Sequence, residues 1–343
     1  MQLIGAGSLA SVAAKLPSLN SAGHHPDSPD RSMDHSVHAM GAVGRVSTSA
    51  FNPSLFLRSW NFSHLPAEER ARYYREKEQP DGTLLREYEF FAVDREIEIA
   101  PGVFFPAWTY NGQVPGPTIR ATEGDRIRVR FVNQGTHPHS IHFHGWHPPE
   151  MDGALPSQQV SPGSEFVYEF TADPFGLHLY HCHTVPLKRH IHKGLYGAFI
   201  VDPRVARAAS VSQTDDLVMI MNGFDTNFDA DNEVYAVNTV AHYHMHDPIR
   251  VEVGKRVRIY LVNVTEFDLI NSLHLHGMFF DINRTGTSRT STEKSDTVML
   301  CQGERAILET TFRYPGEFMF HAHQSEFAEL GWMGIFRAER VSS

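Results

Sequence analysis

Residues 119–133, IRATEGDRIRVRFVN, align without a gap to residues 249–263, IRVEVGKRVRIYLVN, at an offset of 130 in a chain of 343 residues. A repeat at that distance is domain-sized, so the chain reads as two homologous halves. In each copy a Gly-containing turn leads into strict alternation. Ile127, Val129 and Phe131 point one way in the first copy, and Val257, Ile259 and Leu261 do so in the second. A period of two predicts strands with one apolar and one solvated face. Histidine motifs recur in the same frame: HFHG at 142–145 returns as HLHG at 274–277, and HCH at 181–183 returns as HAH at 321–323. Each copy then ends in an apolar run around glycine, LYGAFIVDP at 195–203 and GWMGIFRAE at 331–339. The expectation is an all-β protein of two β-sandwich domains, 51–204 and 205–343, divided within the polar stretch 203–213.

Charge and composition remove several classes of function. Lys and Arg number 30 against 40 Asp and Glu, and a formal charge of -10 repels a phosphate backbone, so nucleic-acid binding is not expected. No apolar run is long enough to span a bilayer. Only Cys182 and Cys301 are present, too few for a disulfide framework, whereas histidine occurs 22 times and in tight clusters. Residues 1–23 read either as the later part of an export signal or as an ordinary small-residue N-terminus. Residues 24–50 carry His24, His25, Met33, His35, His38 and Met40 among Ser, Asp, Pro and Gly. That composition buries no core, so 1–50 is expected to be a disordered leader with at most a weak copper-collecting role. Residues 66–78, PAEERARYYREKE, predict a short charged helix.

Histidines two apart on a strand project to one face, so each HxH offers two imidazoles to one site. Four such pairs lie in the repeat frame: His142/His144, His181/His183, His274/His276 and His321/His323. Eight imidazoles exceed the needs of one ordinary ion and point to several metals in one cluster. One HxH alone is more readily structural or accidental, but four in register across a duplication are not. The first half also has Cys182 between His181 and His183, with His139 ahead of HFHG and His190 eight residues beyond the cysteine. A thiolate with two imidazoles is a blue-copper ligand set. The second half carries Asn271, Ala322 and Phe327 or a neighbour at the corresponding positions, and none supplies a thiolate.

The motifs HPHSIHFHG at 137–145, HCHTVPLKRHIHKGLYG at 181–197, HLHG at 274–277 and HAHQSEFAELGWMG at 321–334 resemble the four copper motifs of the multicopper oxidases. More narrowly, residues 86–340 resemble the two-domain, laccase-like members, whose cupredoxin domains are shared with copper nitrite reductases. The resemblance implies two cupredoxin-like Greek-key β-sandwiches and about four coppers per chain. It implies a type 1 copper on His139, Cys182 and His190 with Leu195 in the axial position. A type 2 copper would use His142 and His274, and a type 3 pair His144, His181, His183, His276, His321 and His323. His192 competes with His190, which keeps the five-residue step to Leu195. Asp152 matches the acidic residue kept beside the type 2 copper, although a turn before Gly153 explains it equally. Glu326, with Glu329 as rival, is a second proton-donor candidate, and helix capping explains either. The resemblance further implies a cyclic homotrimer with cluster sites between subunits, and a donor of one electron at a time feeding the reduction of O2 to water. Copper chemistry and the leader suggest a periplasmic or secreted location.

Two other readings stand beside this one. A nitrite reductase would lack the second histidine after the cysteine and carry Asp where His142 stands. A copper-binding or electron-transfer protein would need only the thiolate site. Phenols, aromatic amines and metal ions all remain open as donors. The remaining clusters take plainer readings. His242, His244 and His246 alternate on one expected strand face. His137, His147, His178 and His192 flank the motifs. Cys301 reads as a small buried hydrophobe and Trp146 as packing.

Overall fold

The computed structural model describes residues 51–205, 214–288, 290–291 and 293–340, all within one compact unit. The expected leader and most of the expected division between domains lie outside the described residues. Among the described residues there are four sheets, two in each half of the repeat. In the first half, Leu84–Ala100 pairs with Tyr74–Glu78, with Val103–Tyr110 and, in parallel, with Arg126–Asn133, which in turn pairs with Glu165–Thr171. Against this lies the sheet of Ile119–Thr122, Tyr196–Asp202, Gly176–His181 and His142–Phe143. The second half repeats the scheme. Thr214–Phe224 runs parallel to Arg256–Asn263 as Leu84–Ala100 does to Arg126–Asn133, and Ile249–Glu252 runs parallel to Met333–Glu339. Gly316–His321 pairs with Ile270–Leu275 at the centre of the second sheet. These are cupredoxin-like β-sandwiches, as expected. No helix among the described residues is long and apolar enough to cross a membrane.

The alternation in the repeat is realised differently in its two copies. Ile127, Val129 and Phe131 are fully buried, while Arg126, Arg128 and Arg130 on the opposite face pair with Glu87, Glu89, Glu165 and Glu169. That ladder is solvated, so each pair adds little stability. In the second copy Val257, Ile259 and Leu261 are again buried, but so are Arg258, Tyr260 and Val262 on the other face. Tyr260 and Val262 join Leu177, Leu179, Tyr196, Ala198 and Ile200 of the first half in a third core between the sandwiches. The half-buried strand expected there is therefore buried on both faces. The substitution responsible is visible in the repeat, where Tyr260 stands in the place of Arg130. Fully burying such an apolar side chain contributes about 1.5–3 kcal/mol, and Arg258 is accommodated by Glu309 at 2.7 Å and Asp216 at 3.6 Å.

Two local expectations are corrected. Residues 66–78 hold only one helical turn, Ala67–Arg70, after which Tyr74–Glu78 is a strand. Tyr74 is buried against Tyr88, and that contact overrides the helical charge pattern. Residues 241–248 are not a strand: Tyr243–His246 is a helical turn entered through His242 at φ 55°. His244 is buried there against Phe320, whereas His242 is half-buried and His246 exposed.

Candidate metal centres

Cys182 follows the end of strand Gly176–His181, deep in the first sandwich, and is fully buried. Helix Leu187–His192 returns His190 to it, with Nδ1 3.2 Å from the sulfur. His139 enters from a β-bridge to Val160, its Nδ1 3.2 Å from that of His190. These three donors lie within 4.8 Å of one another. Burial pushes the Cys182 thiol up, partly countered by the Ser140 N–H that donates to the sulfur at 3.4 Å. Burial also pulls His139 down to about 3 and His190 to about 4, so both rings are neutral and present lone pairs near neutral pH. His139 Nε2 is buried with no partner in the structure. A soft thiolate, two neutral imidazoles and a dry pocket fit copper by the chemistry of the donor set.

Leu195 is fully buried in the same core cluster as Cys182 and accepts the Cys182 N–H at 3.0 Å, so it holds the thiol's backbone and offers no donor atom of its own. His192 is elsewhere: its Nε2 accepts the Asp225 N–H at 2.9 Å, and its ring meets Phe105 and Phe267. Of the two competitors, His190 is the one brought to the cysteine. Trp108, which sequence reasoning passed over, packs against His137, His139 and His190 with centroids 4.6, 5.3 and 4.7 Å away and covers the two imidazoles beside Cys182. No motif surrounds it, so nothing local could have marked it.

The other eight histidines form two quartets. His142 pairs with His181 across adjacent strands, as His274 pairs with His321, so the antiparallel register brings each HxHG to its HxH. His144 and His181 face each other Nε2 to Nε2 at 3.2 Å, and His276 and His321 at 2.9 Å. His183 and His323 complete the quartets, with rings 5.3 and 5.4 Å from His142 and His274. Donors close enough to share an ion are drawn from one quartet or the other, and among the described residues no group mixes the two. The described part of the chain thus holds two separate histidine groups. In the first, His181 is buried and His142, His144 and His183 are half-buried, whereas His276 and His323 of the second are exposed.

Partners of the Nδ1 atoms orient these rings. His142 Nδ1 donates to Asp152, 2.9 Å from its carbonyl and 3.0 Å from Oδ1. His274 Nδ1 lies 3.0 Å from the Asp296 carbonyl. His181 and His321 donate to the carbonyls of Cys182 and Ala322 at 3.0 and 2.6 Å. In each case the proton sits on Nδ1 and leaves a lone pair on Nε2. Asp152 thus lies against His142, with Oδ1 also 3.6 Å from His147 Nε2. The turn reading holds as well. Gly153 has φ 70°, and a Cβ there would come within 2.2 Å of the Ile141 carbonyl.

Glu326 and Glu329 are exposed on the short helix Ser325–Glu329, which follows His323 of the second quartet in sequence. Two plain readings are corrected: Cys301 is exposed rather than buried, because it alternates outward on strand Thr297–Cys301, and Trp146 is 71% exposed rather than packed. His178 is buried with Nε2 on the Pro174 carbonyl at 2.8 Å. Asp225, Asp229 and Glu233 form a further acidic group that the histidine count had overshadowed.

A family model described as multicopper oxidase matches residues 94–206, and a second with the same description matches residues 212–341. A solved structure described as a multicopper oxidase is 49% identical, covering 84% of this chain and 97% of that one, with a TM-score of 0.78. A copper nitrite reductase from Nitrosomonas europaea is 25% identical, covering 76% of this chain and 95% of that one, with a TM-score of 0.69. The copper-containing nitrite reductase of Neisseria gonorrhoeae is 28% identical over 67% of this chain. The match spans 62% of that curated relative, less than two thirds of its length.

Proposed function

The chain belongs to the multicopper oxidase family, and we propose that within it this protein is a laccase-like oxidase that couples one-electron oxidations to the reduction of O2 to water. The observation that carries this reading is the pair of complete histidine quartets. His142 stands where the nitrite reductase pattern calls for Asp, and His183 is present where that pattern has none. In this reading 51–204 and 205–343 are its two domains. His139, Cys182 and His190 would hold a type 1 copper, His142 and His274 a type 2 copper, and His144, His181, His183, His276, His321 and His323 a type 3 pair. Copper there would supply one-electron acceptance at the thiolate site and the redox equivalents that O2 reduction requires.

The chain's own residues then have definite tasks. Leu195, buried in the same core cluster as Cys182, would offer no donor atom to a metal held there, which would favour a high potential. Cys182 is bonded through the backbone to His181 and His183, so one residue joins the thiolate site to the first quartet. Asp152 fixes the His142 ring and holds a carboxylate beside it that can carry a proton. Because no donor group among the described residues of one chain spans both quartets, the full cluster would form between the first domain of one subunit and the second of its neighbour, in a cyclic homotrimer. Exposed Trp146 beside the first quartet, and Phe279 and Met299 in the half that bears the second, are apolar surface suited to such a contact. A periplasmic or secreted location suits this chemistry.

Copper content, the absorption spectrum and oxygen uptake with a phenolic donor test the proposal together. About four coppers per chain, an intense thiolate band, a near-ultraviolet shoulder and oxygen consumption are the expected results. The likeness to nitrite reductases motivates one second reading. About two coppers per chain, no shoulder, and nitrite-dependent NO release without oxygen uptake would establish it instead.

A further inference from the structure

Arg305, the first residue of strand Arg305–Thr311 in the second sandwich, reaches into the first. Its Nε donates to the Leu177 carbonyl at 2.9 Å, and its Nη1 lies 3.5 Å from His144 Nδ1. The side chain is partly buried, its Nη1 also donates to the Gly303 carbonyl at 3.5 Å, and among the described residues it forms no salt bridge, Glu304 acting on it only through its charge. Its neighbour Glu304 is engaged by Arg284 at 3.4 Å. An unpaired cation half withdrawn from water is costly, and its placement against a ligand histidine is unlike anything in the second quartet.

Tautomers follow from the partners. His181 spends its Nδ1 proton on the Cys182 carbonyl, so its Nε2 accepts from His144 Nε2. His144 then accepts from Arg305 at Nδ1. A directed chain results, from Arg305 through His144 and His181 to the carbonyl of Cys182. In the second quartet the same chain starts one link later, from His276 through His321 to the Ala322 carbonyl, with no cation at its head. To offer both Nε2 lone pairs to one ion, His144 must carry its proton on Nδ1, where it faces the guanidinium. His142, His181, His274 and His321 instead direct that proton at an oxygen. Outer partners of this kind change metal affinity by roughly 10–100-fold.

We propose that Arg305 is a positioning residue that weakens metal retention at the His144–His181 pair, tying the occupancy of that half-site to the docking of the second sandwich on the first. The inference rests on the metal role proposed above for the quartets. Its test is release of copper from the loaded, full-length protein to a graded chelator, read as metal per chain and as loss of the near-ultraviolet shoulder. Arg305→Gln removes the charge facing His144 Nδ1 and keeps an N–H at about the level of Nε for the Leu177 carbonyl. It should need about 10-fold more chelator or beyond for half-release, while Arg305→Lys, which keeps the charge, should follow the wild type. Should the glutamine variant not fold, Arg305→Met carries the same expectation. Release at wild-type or lower chelator, with the Cys182 band intact, overturns the inference, as does equal tightening by lysine and glutamine. A wild type that loads copper only at Cys182 overturns this inference and the proposed function together. Full loading with an unaffected Arg305→Gln overturns the inference alone.

Discussion

The two sandwiches are nearly interchangeable at the quartets and unlike each other one turn away. Ser140 accepts the His183 N–H at 3.2 Å, and Ser272 accepts the His323 N–H at 2.8 Å, so even the supports of the histidines are duplicated. At the place of His139, Cys182 and His190, however, the second sandwich has Asn271, Ala322 and Phe327. Asn271 receives the Trp332 indole N–H at 3.0 Å and donates to Thr265 at 2.9 Å. Phe327 stacks on Tyr235 with centroids 4.0 Å apart and planes 13° apart. Ala322 is fully buried in the core of the second sandwich. One fold thus builds a donor pocket in one half and fills it with hydrogen bonds and aromatic packing in the other. The scaffold fixes where a ligand would stand, and the side chains decide whether there is a site.

Breaking the donor pocket should have the largest effect. In Cys182→Ser the hydroxyl replaces the thiolate, so the visible thiolate band should vanish and oxygen uptake should fall by more than the roughly 10–100-fold typical of outer partners. The shoulder of the quartet copper should persist in the same spectrum. Loss of both bands together would mean that the two sites are not separable. Breaking the filled pocket should instead cost stability. Phe327→Ala removes a buried ring from its stack, at roughly 3–5 kcal/mol, visible as a lowered Tm with the thiolate band unchanged. A weakened band in that variant would show that the second pocket supports the first site.

Much of this contrast could be read before any coordinates. The repeat, the alternating strands and the four HxH pairs carry their own periodicity, because a strand's faces and its ligand spacing are both set by a period of two. Cys182 flanked by histidines also stands out locally. What could not be read depends on contacts between distant segments. The burial of Tyr260 and Val262 on a second face comes from the first sandwich and has no signature beyond one arginine exchanged for tyrosine. His242, His244 and His246 look like a strand by spacing, yet the chain turns through His242 at φ 55° into a helical turn. Trp108 and Arg305 reach their histidines through the fold, from 31 and 161 residues away in sequence. Cys301 turned outward because its neighbours Val298 and Leu300 took the inner face of their strand.

A milder change sharpens the quartet comparison. Asp152→Asn keeps a hydrogen-bond acceptor for His142 Nδ1 at the backbone carbonyl but removes the carboxylate. Since His274 in the second sandwich is served by the Asp296 carbonyl and by Thr297 Oγ1 at 2.9 Å, it should be unaffected. Oxygen uptake should fall by roughly 10–100-fold with copper content near wild type. A variant that instead loses copper would give Asp152 a purely structural role.

The smallest effect is one in which the two halves should behave alike. His178 and His192 in the first sandwich and His244 in the second are buried outside the ligand groups, and burial pulls them down to about 4, about 3 and about 4 from an ordinary 6.5. Below pH 6.5 the unfolded chain takes up protons at these rings and the folded chain does not. Their contribution to stability is therefore complete above 6.5 and declines as the pH falls toward 3–4, at up to about 1.4 kcal/mol per pH unit for each ring. The metal-free protein should accordingly melt at a lower temperature at pH 5 than at pH 7. Replacing His244 with Gln should flatten that slope by about as much as replacing His192 does. A slope carried by His192 alone would mean that the second sandwich opens near His244 before the molecule unfolds, and the two halves would then differ in rigidity as well as in their pockets.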